Sequence, residues 1–213
     1  MPAAPVAGAS ALLVASLEYK CPLRDRLTDF GSRRRASRYG SGMTIDLRTM
    51  SADDWRAWRS VRLAALTDAP GAFGSRLDEW ADAPEDRWRA RLSIPRAIDL
   101  LAFDADENAP VGMATGTLGD DNGSRAQLIS MWVDPAVRGR GVATVLITAI
   151  SRWAVSIGAA TLTLSVMPDN VAARRTYERN GFVVSGEPGA LLPGGRRELV
   201  MLRDLGLERP VSD

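Results

Sequence analysis

Between Ala126 and Val166 the apolar period changes twice, and this constrains the fold more than any other feature of the chain. "AQLISMWV" reads as a strand. Val142, Val145, Leu146, Ala149, Ile150 and Trp153 then form one stripe of a helix that Gly158 can end, and "TLTLSV" alternates with Leu162, Leu164 and Val166 on one face. A strand, a helix and a strand in that order make a crossover unit, which places the two strands parallel. Upstream, "AIDLLAFDA" and "PVGMATGTLG" join "AQLISMWV" through "DENAP" and "GDDNGS", turn sequences that predict an antiparallel meander.

The remaining elements flank this unit. "MTIDLRTM" alternates as a strand and leads into "SADDWRAWRSVRLAAL", a helix with Ser51 as N-cap and Trp55, Trp58, Val61, Ala65 and Leu66 at helical spacing. "DAPGAFGSR" breaks the pattern, and a short helix follows around "PEDRWRARL". Asp169 or Asn170 caps a helix over "VAARRTYERN", ended by Gly181, and "FVVSGE" and "RRELVML" supply a closing hairpin. The expected fold class is α/β, with a mixed, mostly antiparallel sheet, one parallel βαβ unit and flanking helices.

At the start of the crossover helix, "VRGRGVA" sets two arginines and two glycines where peptide dipoles already present partial positive charge. Gly139 and Gly141 permit a backbone that gathers N–H groups on one concave surface, and the helix from Val142 adds its own unpaired N–H groups. That is a cradle for a phosphate or pyrophosphate, with Arg138 and Arg140 placed to clamp or shield it. A glycine turn carrying two surface arginines is the other reading of the same letters. A P-loop is excluded because Gly141 is followed by Val142 with no lysine, and a dinucleotide fingerprint because Thr144 fills its third small position and "TLTLSV" offers no acid.

Composition removes whole classes of chemistry. The 213 residues carry no histidine and one cysteine, Cys21, so Ser-His-Asp catalysis and zinc sites are excluded and no metal is expected. A net charge of +1 gives no global footprint for nucleic acid or an acidic membrane, and no apolar run approaches the roughly 20 residues that span a bilayer. A cytoplasmic protein is expected, with neither nucleic acid nor membrane as partner. Residues 1–42 run from small and apolar to basic and Gly/Ser-rich without sustained periodicity, so they are expected as a disordered or loosely packed extension, ahead of a domain over 43–206 and a tail over 207–213. Contact with nucleic acid through "SRRRAS" in that extension is the alternative to a solvated tail.

The two motifs of the second half resemble those of the GNAT N-acetyltransferases. Arg138, Gly141 and Ala143 in "RGRGVA" match that family's pyrophosphate loop, and Asn170, Ala173, Tyr177, Gly181 and Phe182 in "NVAARRTYERNGF" match its second signature. The resemblance covers most of Met43 to Asp204. It implies a GNAT-type sheet whose "LISMWV" strand splays from its parallel neighbour, with acetyl-CoA as acyl-donor cosubstrate. Met131, Trp132 and Val133 would line the pantetheine arm. Arg138, Gly139, Arg140, Gly141, Val142 and Ala143 would hold the pyrophosphate, and Asn170 would contact the pantetheine or support the site. Tyr177 would protonate the departing thiolate, as suits a phenol with an ordinary pKa near 10.

The implied reaction is direct transfer of acetyl to a primary amine of a small molecule or protein, and a homodimer is compatible with it. A non-catalytic acyl-CoA-binding module is the alternative. No base is assigned: the strand lacks a carboxylate where some members carry glutamate, Ser130 is a candidate to hold a relaying water, and Asp78 and Glu79 are the nearest acids. Trp55, Trp58 and Trp153 read as core, whereas Trp132 divides between core and acceptor pocket.

Overall fold

The computed structural model describes residues 35–39, 43–119, 123–191 and 195–206. In chain order these form β1 (Arg35–Tyr39), β2 (Met43–Met50), α1 (Trp55–Asp68), α2 (Leu77–Trp80), α3 (Glu85–Arg91), β3 (Ile98–Asp104), β4 (Ala109–Leu118) and β5 (Arg125–Val133). There follow α4 (Val142–Ser156), β6 (Thr161–Val166), α5 (Val171–Arg179), β7 (Val183–Leu191) and β8 (Arg197–Asp204). Among the described residues the strands make one sheet in the order β1-β2-β3-β4-β5-β6-β8-β7. Only β5 and β6 pair in parallel, as the crossover requires.

Two expectations need adjustment. β1 lies inside the segment expected to be loosely packed, and it pairs antiparallel with β2 from Arg35↔Leu47 to Tyr39↔Met43. The backbone of β2 offers an open edge there, which periodicity of side chains does not report. The rest of that extension, with Cys21 and the tail 207–213, lies outside the described residues. Second, α2 forms between the "DAPGAFGSR" break and the short helix, where no element was read.

Both faces of the sheet are covered, and β3 shows how. Ile98, Leu100 and Ala102 join one core with α4 and α5, while Leu101 and Phe103 join another with α1 and α3. A strand buried on both faces reads as a continuous apolar run rather than an alternating one. Ser51 starts the path to α1: its N–H donates to the Asp54 carboxylate at 2.8 Å and its hydroxyl accepts from the Asp53 N–H at 3.3 Å. α4 lies close on β4 because Gly116 has no side chain; a Cβ there would sit 2.6 Å from the Trp153 ring.

β5 changes face partway along. Opposite it, Met113 pairs with Trp132 and Thr115 with Ile129, so Ser130 and Met131 together oppose Ala114 in a β-bulge. Ser130 takes φ +54. Before the bulge Ala126 and Leu128 enter the α4 core; after it Trp132 enters the α1 core, while Met131 and Val133 pack on the α4 side. Pairing with β6 ends at Gln127↔Thr163, although β6 runs on to Val166 against β8. The two parallel strands therefore splay, leaving the second half of β5 without a partner strand on that side.

Candidate functional site

The glycine loop takes the backbone that its spacing predicts. A 3-10 turn over Pro135–Val137, capped by the Asp134 carboxylate, delivers the chain to Arg138. Gly139 and Gly141 then take φ of +81 and +89, and Gly141 is the N-cap of α4 with no side chain to fill the cap. Among the described residues the N–H groups of Gly139, Gly141, Val142, Ala143 and Thr144 carry no hydrogen bond. Unpaired N–H groups at the start of a 15-residue helix, beside two positive-φ glycines, present donors and a dipole to one small volume.

The two arginines of the loop differ. Arg138 is turned back: its Nε donates to the Val133 carbonyl at 3.0 Å and its Nη2 pairs with the Asp68 carboxylate. Asp68, the last residue of α1, also accepts from Trp132 Nε1 at 2.9 Å. Asp68 thus ties α1 to the end of β5 and to the cradle loop. Arg140 is exposed and makes no side-chain hydrogen bond among the described residues. The Trp132 indole is 6% exposed and packs in the α1 core, which decides between its two readings. Whatever Trp132 offers a ligand in the cleft comes from its backbone.

The hydrogen bonds from Trp132 and Arg138 hold the Asp68 carboxyl below its ordinary value. Its stabilising contribution is therefore fully present above the unfolded carboxylate range near pH ~4 and is lost as pH falls through the lower folded value. Asp68→Ala should cost about 1 kcal/mol at pH 7, since these partners are partly solvated. A thermal melt should show a drop of roughly 2–4 °C. In acid, below the carboxylate range, the wild type and the variant should melt together; a constant difference across pH would mean the carboxylate charge is irrelevant.

On the far side of the splay, Asn170 caps α5, its Oδ1 accepting from the Ala173 N–H at 3.1 Å. Its position therefore has a structural job, which leaves its amide NH2 for other use. Tyr177, two turns along, is 8% exposed, and its ring meets Phe182 edge-on at 5.9 Å. The hydroxyl makes no hydrogen bond among the described residues. Burial pushes the phenol up to about 12, so it holds its proton at any physiological pH.

Beyond the bulge of β5 lies a cavity of about 250 Å³, lined among others by Trp58, Trp80, Trp88, Arg62, Arg91 and Ser130. The Trp80 and Trp88 rings meet with centroids 4.6 Å apart, tilted by 54°. Arg91 Nη1 donates to Asp99 Oδ1 at 3.1 Å, and its Nη2 donates to Thr115 Oγ1 at 2.9 Å and reaches Ser130 Oγ at 3.5 Å. Thr115, directly across from Asp99 in the β3–β4 register, donates its hydroxyl to the same Oδ1. Burial raises the Asp99 carboxyl, against Arg91 and the Thr115 hydroxyl, which lower it. Arg62 lies over the Phe73 ring at 4.5 Å, and its Nη1 is buried without a hydrogen-bond partner. Burial and the like charge of Arg91 push its guanidinium down to about 10.

One core thus joins Val142 at the start of α4, Tyr177 and, packed against it, Met131 and Val133 of the splayed half of β5, while Asn170 caps α5. Asp78 and Glu79 stay outside the cavity: Asp78 pairs with Arg76, and Glu79 accepts from the Arg76 N–H at 3.1 Å. Arg62, Arg91, Asp99 and Thr115 were missed by the sequence reading. The signal was present: Arg62 sits inside the apolar stripe Trp58, Val61, Ala65, Leu66, and Asp99 interrupts the run "AIDLLAF". A charge at a core-facing position usually means a built site.

A family model described as the acetyltransferase (GNAT) family matches residues 54–182. The mycothiol acetyltransferase of Mycobacteroides abscessus is 33% identical over 100 residues, which is 47% of this chain and 33% of that protein, so the chain spans about a third of that relative. The aminoglycoside N(6')-acetyltransferase type 1 of Salmonella enteritidis is 26% identical over 146 residues, 65% of this chain and 91% of that one. Among solved structures, a GCN5-related N-acetyltransferase from Kribbella flavida superposes with a TM-score of 0.60 at 25% identity, over 75% of this chain and 97% of that one.

Proposed function

The chain belongs to the acetyltransferase (GNAT) family, and on that premise we propose an N-acetyltransferase that takes acetyl-CoA as acyl donor and a primary amine as acceptor, by direct attack. The observation that carries this is the set of free N–H groups at Gly139 and Gly141 to Thr144, at a positive-φ loop beside the splayed strands. It suits a pyrophosphate in charge and in acceptor count. When bound, acetyl-CoA supplies an activated thioester carbonyl.

The chain's own residues do the rest. Gly139, Gly141, Val142 and Ala143 hold the pyrophosphate through the backbone. Arg140, exposed beside them, shields its charge, and Arg138 stays paired with Asp68 to fix the loop. The backbone of Met131, Trp132 and Val133, past the last β6 pairing, receives the pantetheine arm as an added strand. Asn170 keeps the start of α5 in register with that arm through its cap. Tyr177 Oη keeps a proton at neutral pH and is the donor to the leaving sulfur. Ser130, at the bulge, is the position from which a water can relay the proton of the attacking amine. No enzyme nucleophile is needed, in keeping with a chain without histidine.

Calorimetric titration with acetyl-CoA, desulfo-CoA and ATP tests the cofactor site. Saturable binding of both CoA species without ATP binding is expected, and thiol release on adding an amine should follow. A folded protein that binds no CoA would defeat the reading. The non-catalytic binding module is not favoured, since the matched relatives are acetyltransferases by name.

A further inference from the structure

We propose that the acceptor is a small amine that also carries a carboxylate, and that Arg62 is the residue that selects it. The inference rests on the acetyltransferase reading and deepens it. Three observations converge on the cavity beside β5. The first is charge. Arg62 is 8% exposed, with a buried Nη1 that has no partner and no acid within ion-pairing reach among the described residues. A guanidinium withdrawn from water without a counterion is costly, and folded proteins pair such groups. Its neighbour Arg91 repels it and is itself neutralised by Asp99. The cavity therefore carries one uncompensated positive charge, which one carboxylate cancels.

The second observation is the wall. Trp58, Trp80 and Trp88 give an aromatic lining beside the arginines, with Arg91 over the Trp58 ring at 5.4 Å. An apolar body with one anionic end suits this mixed lining. A polycation would set a positive charge against the unpaired Arg62 guanidinium, at a like-charge cost that a low-dielectric cavity amplifies. The third is size and place. At about 250 Å³ the cavity falls just below the roughly 300–1,000 Å³ of typical ligand sites, which suits a molecule of amino-acid size. It reaches Ile129 and Ser130 at the bulge of β5, the strand proposed to carry the donor arm, so an amine next to the carboxylate-bound end points toward the thioester.

The test compares matched amines on the full chain. L-leucine, L-methionine and L-phenylalanine are assayed by thiol release from acetyl-CoA beside their methyl esters and decarboxylated amines, with spermidine and kanamycin as polycations. At least one carboxylate should exceed its own ester and amine by tenfold or more in kcat/KM, and should exceed both polycations. Quenching of the cavity tryptophans by the same compounds reads occupancy without turnover. Arg62→Gln should raise KM for the carboxylate at least tenfold with kcat within about twofold, and Arg62→Lys should recover part of that loss. Because Arg62→Gln removes an unpaired buried charge, the ligand-free variant should melt roughly 2–4 °C higher than wild type.

Each outcome bears on the idea. Turnover of esters or polycations as fast as carboxylates overturns it and leaves the acetyltransferase reading standing. Carboxylate-dependent quenching lost in Arg62→Gln supports it even where CoA fails to bind. Absence of any carboxylate-dependent rate or quenching in folded protein overturns it, as does an Arg62→Gln protein that keeps the carboxylate preference. If Arg62→Gln does not fold, Arg62→Lys decides alone: an undiminished or partly retained carboxylate preference supports the charge reading, and a complete loss overturns it.

Discussion

Gly141→Asp should weaken acetyl-CoA binding by roughly 100-fold, about 2.7 kcal/mol, while the protein still folds. The two halves of this expectation have separate causes. Gly141 takes φ +89 at the N-cap of α4, a conformation in which aspartate is among the least strained of the non-glycine residues. Aspartate is also a favoured N-cap that complements the helix dipole, so α4 loses little. The ligand meets the opposite situation. A carboxylate about 5 Å from a phosphate charge costs about 3 kcal/mol at an effective dielectric of 20, and the new side chain claims the N–H groups that the phosphates need. Calorimetry and a thermal melt on the same sample separate the two. Unchanged CoA affinity in the folded variant would mean that the loop is a turn and nothing more.

Tyr177→Phe should lower kcat by about 100-fold, the lower end of what a positioned general acid supplies. CoA affinity should stay within about twofold. The hydroxyl makes no hydrogen bond among the described residues, and the ring alone packs against Phe182, so the substitution removes a proton without opening a cavity. Burial holds the phenol up to about 12, which adds a second readout. The wild-type rate should show no loss of an acid on the alkaline side up to pH ~10, because deprotonation sets in only near the shifted value. Full turnover by the folded variant, or an alkaline limb near 8, would assign the proton to another group.

Much of the fold was legible because it rests on periodicity. The crossover helix is the clearest case: the stripe Val142, Val145, Leu146, Ile150, Trp153 is buried, and Gly158 with φ +85 follows its end. The glycine loop was legible for a related reason, since its conformation lies in glycine positions and a helix start, both written locally. The acceptor side was not. Arg62, Arg91, Asp99 and Thr115 come from α1, α3, β3 and β4, and only the sheet register sets Thr115 opposite Asp99. Trp132 was undecidable by alternation because the bulge reverses the facing of every residue after it. No pattern in "LISMWV" announces an extra residue, which is a property of the pairing with β4. β1 escaped for the same reason, being a matter of an open backbone edge.

The bulge at Ser130 also divides labour along one strand. Ala126 and Leu128 before it answer to the core under α4, and Trp132 after it answers to the core under α1. Its two members, with Ile129, are where the proposed donor rail and the proposed acceptor cavity meet, so on that reading the strand is a joint between two modules. Substitutions in the α1–α3 half can remodel the cavity while the glycine loop and the rail remain as they are. Deleting Ser130 would restore regular pairing, with Met131 alone opposite Ala114 and Trp132 still opposite Met113 on the α1 side, so both cores would keep their residues while the cavity loses the corner that Ser130 supplies.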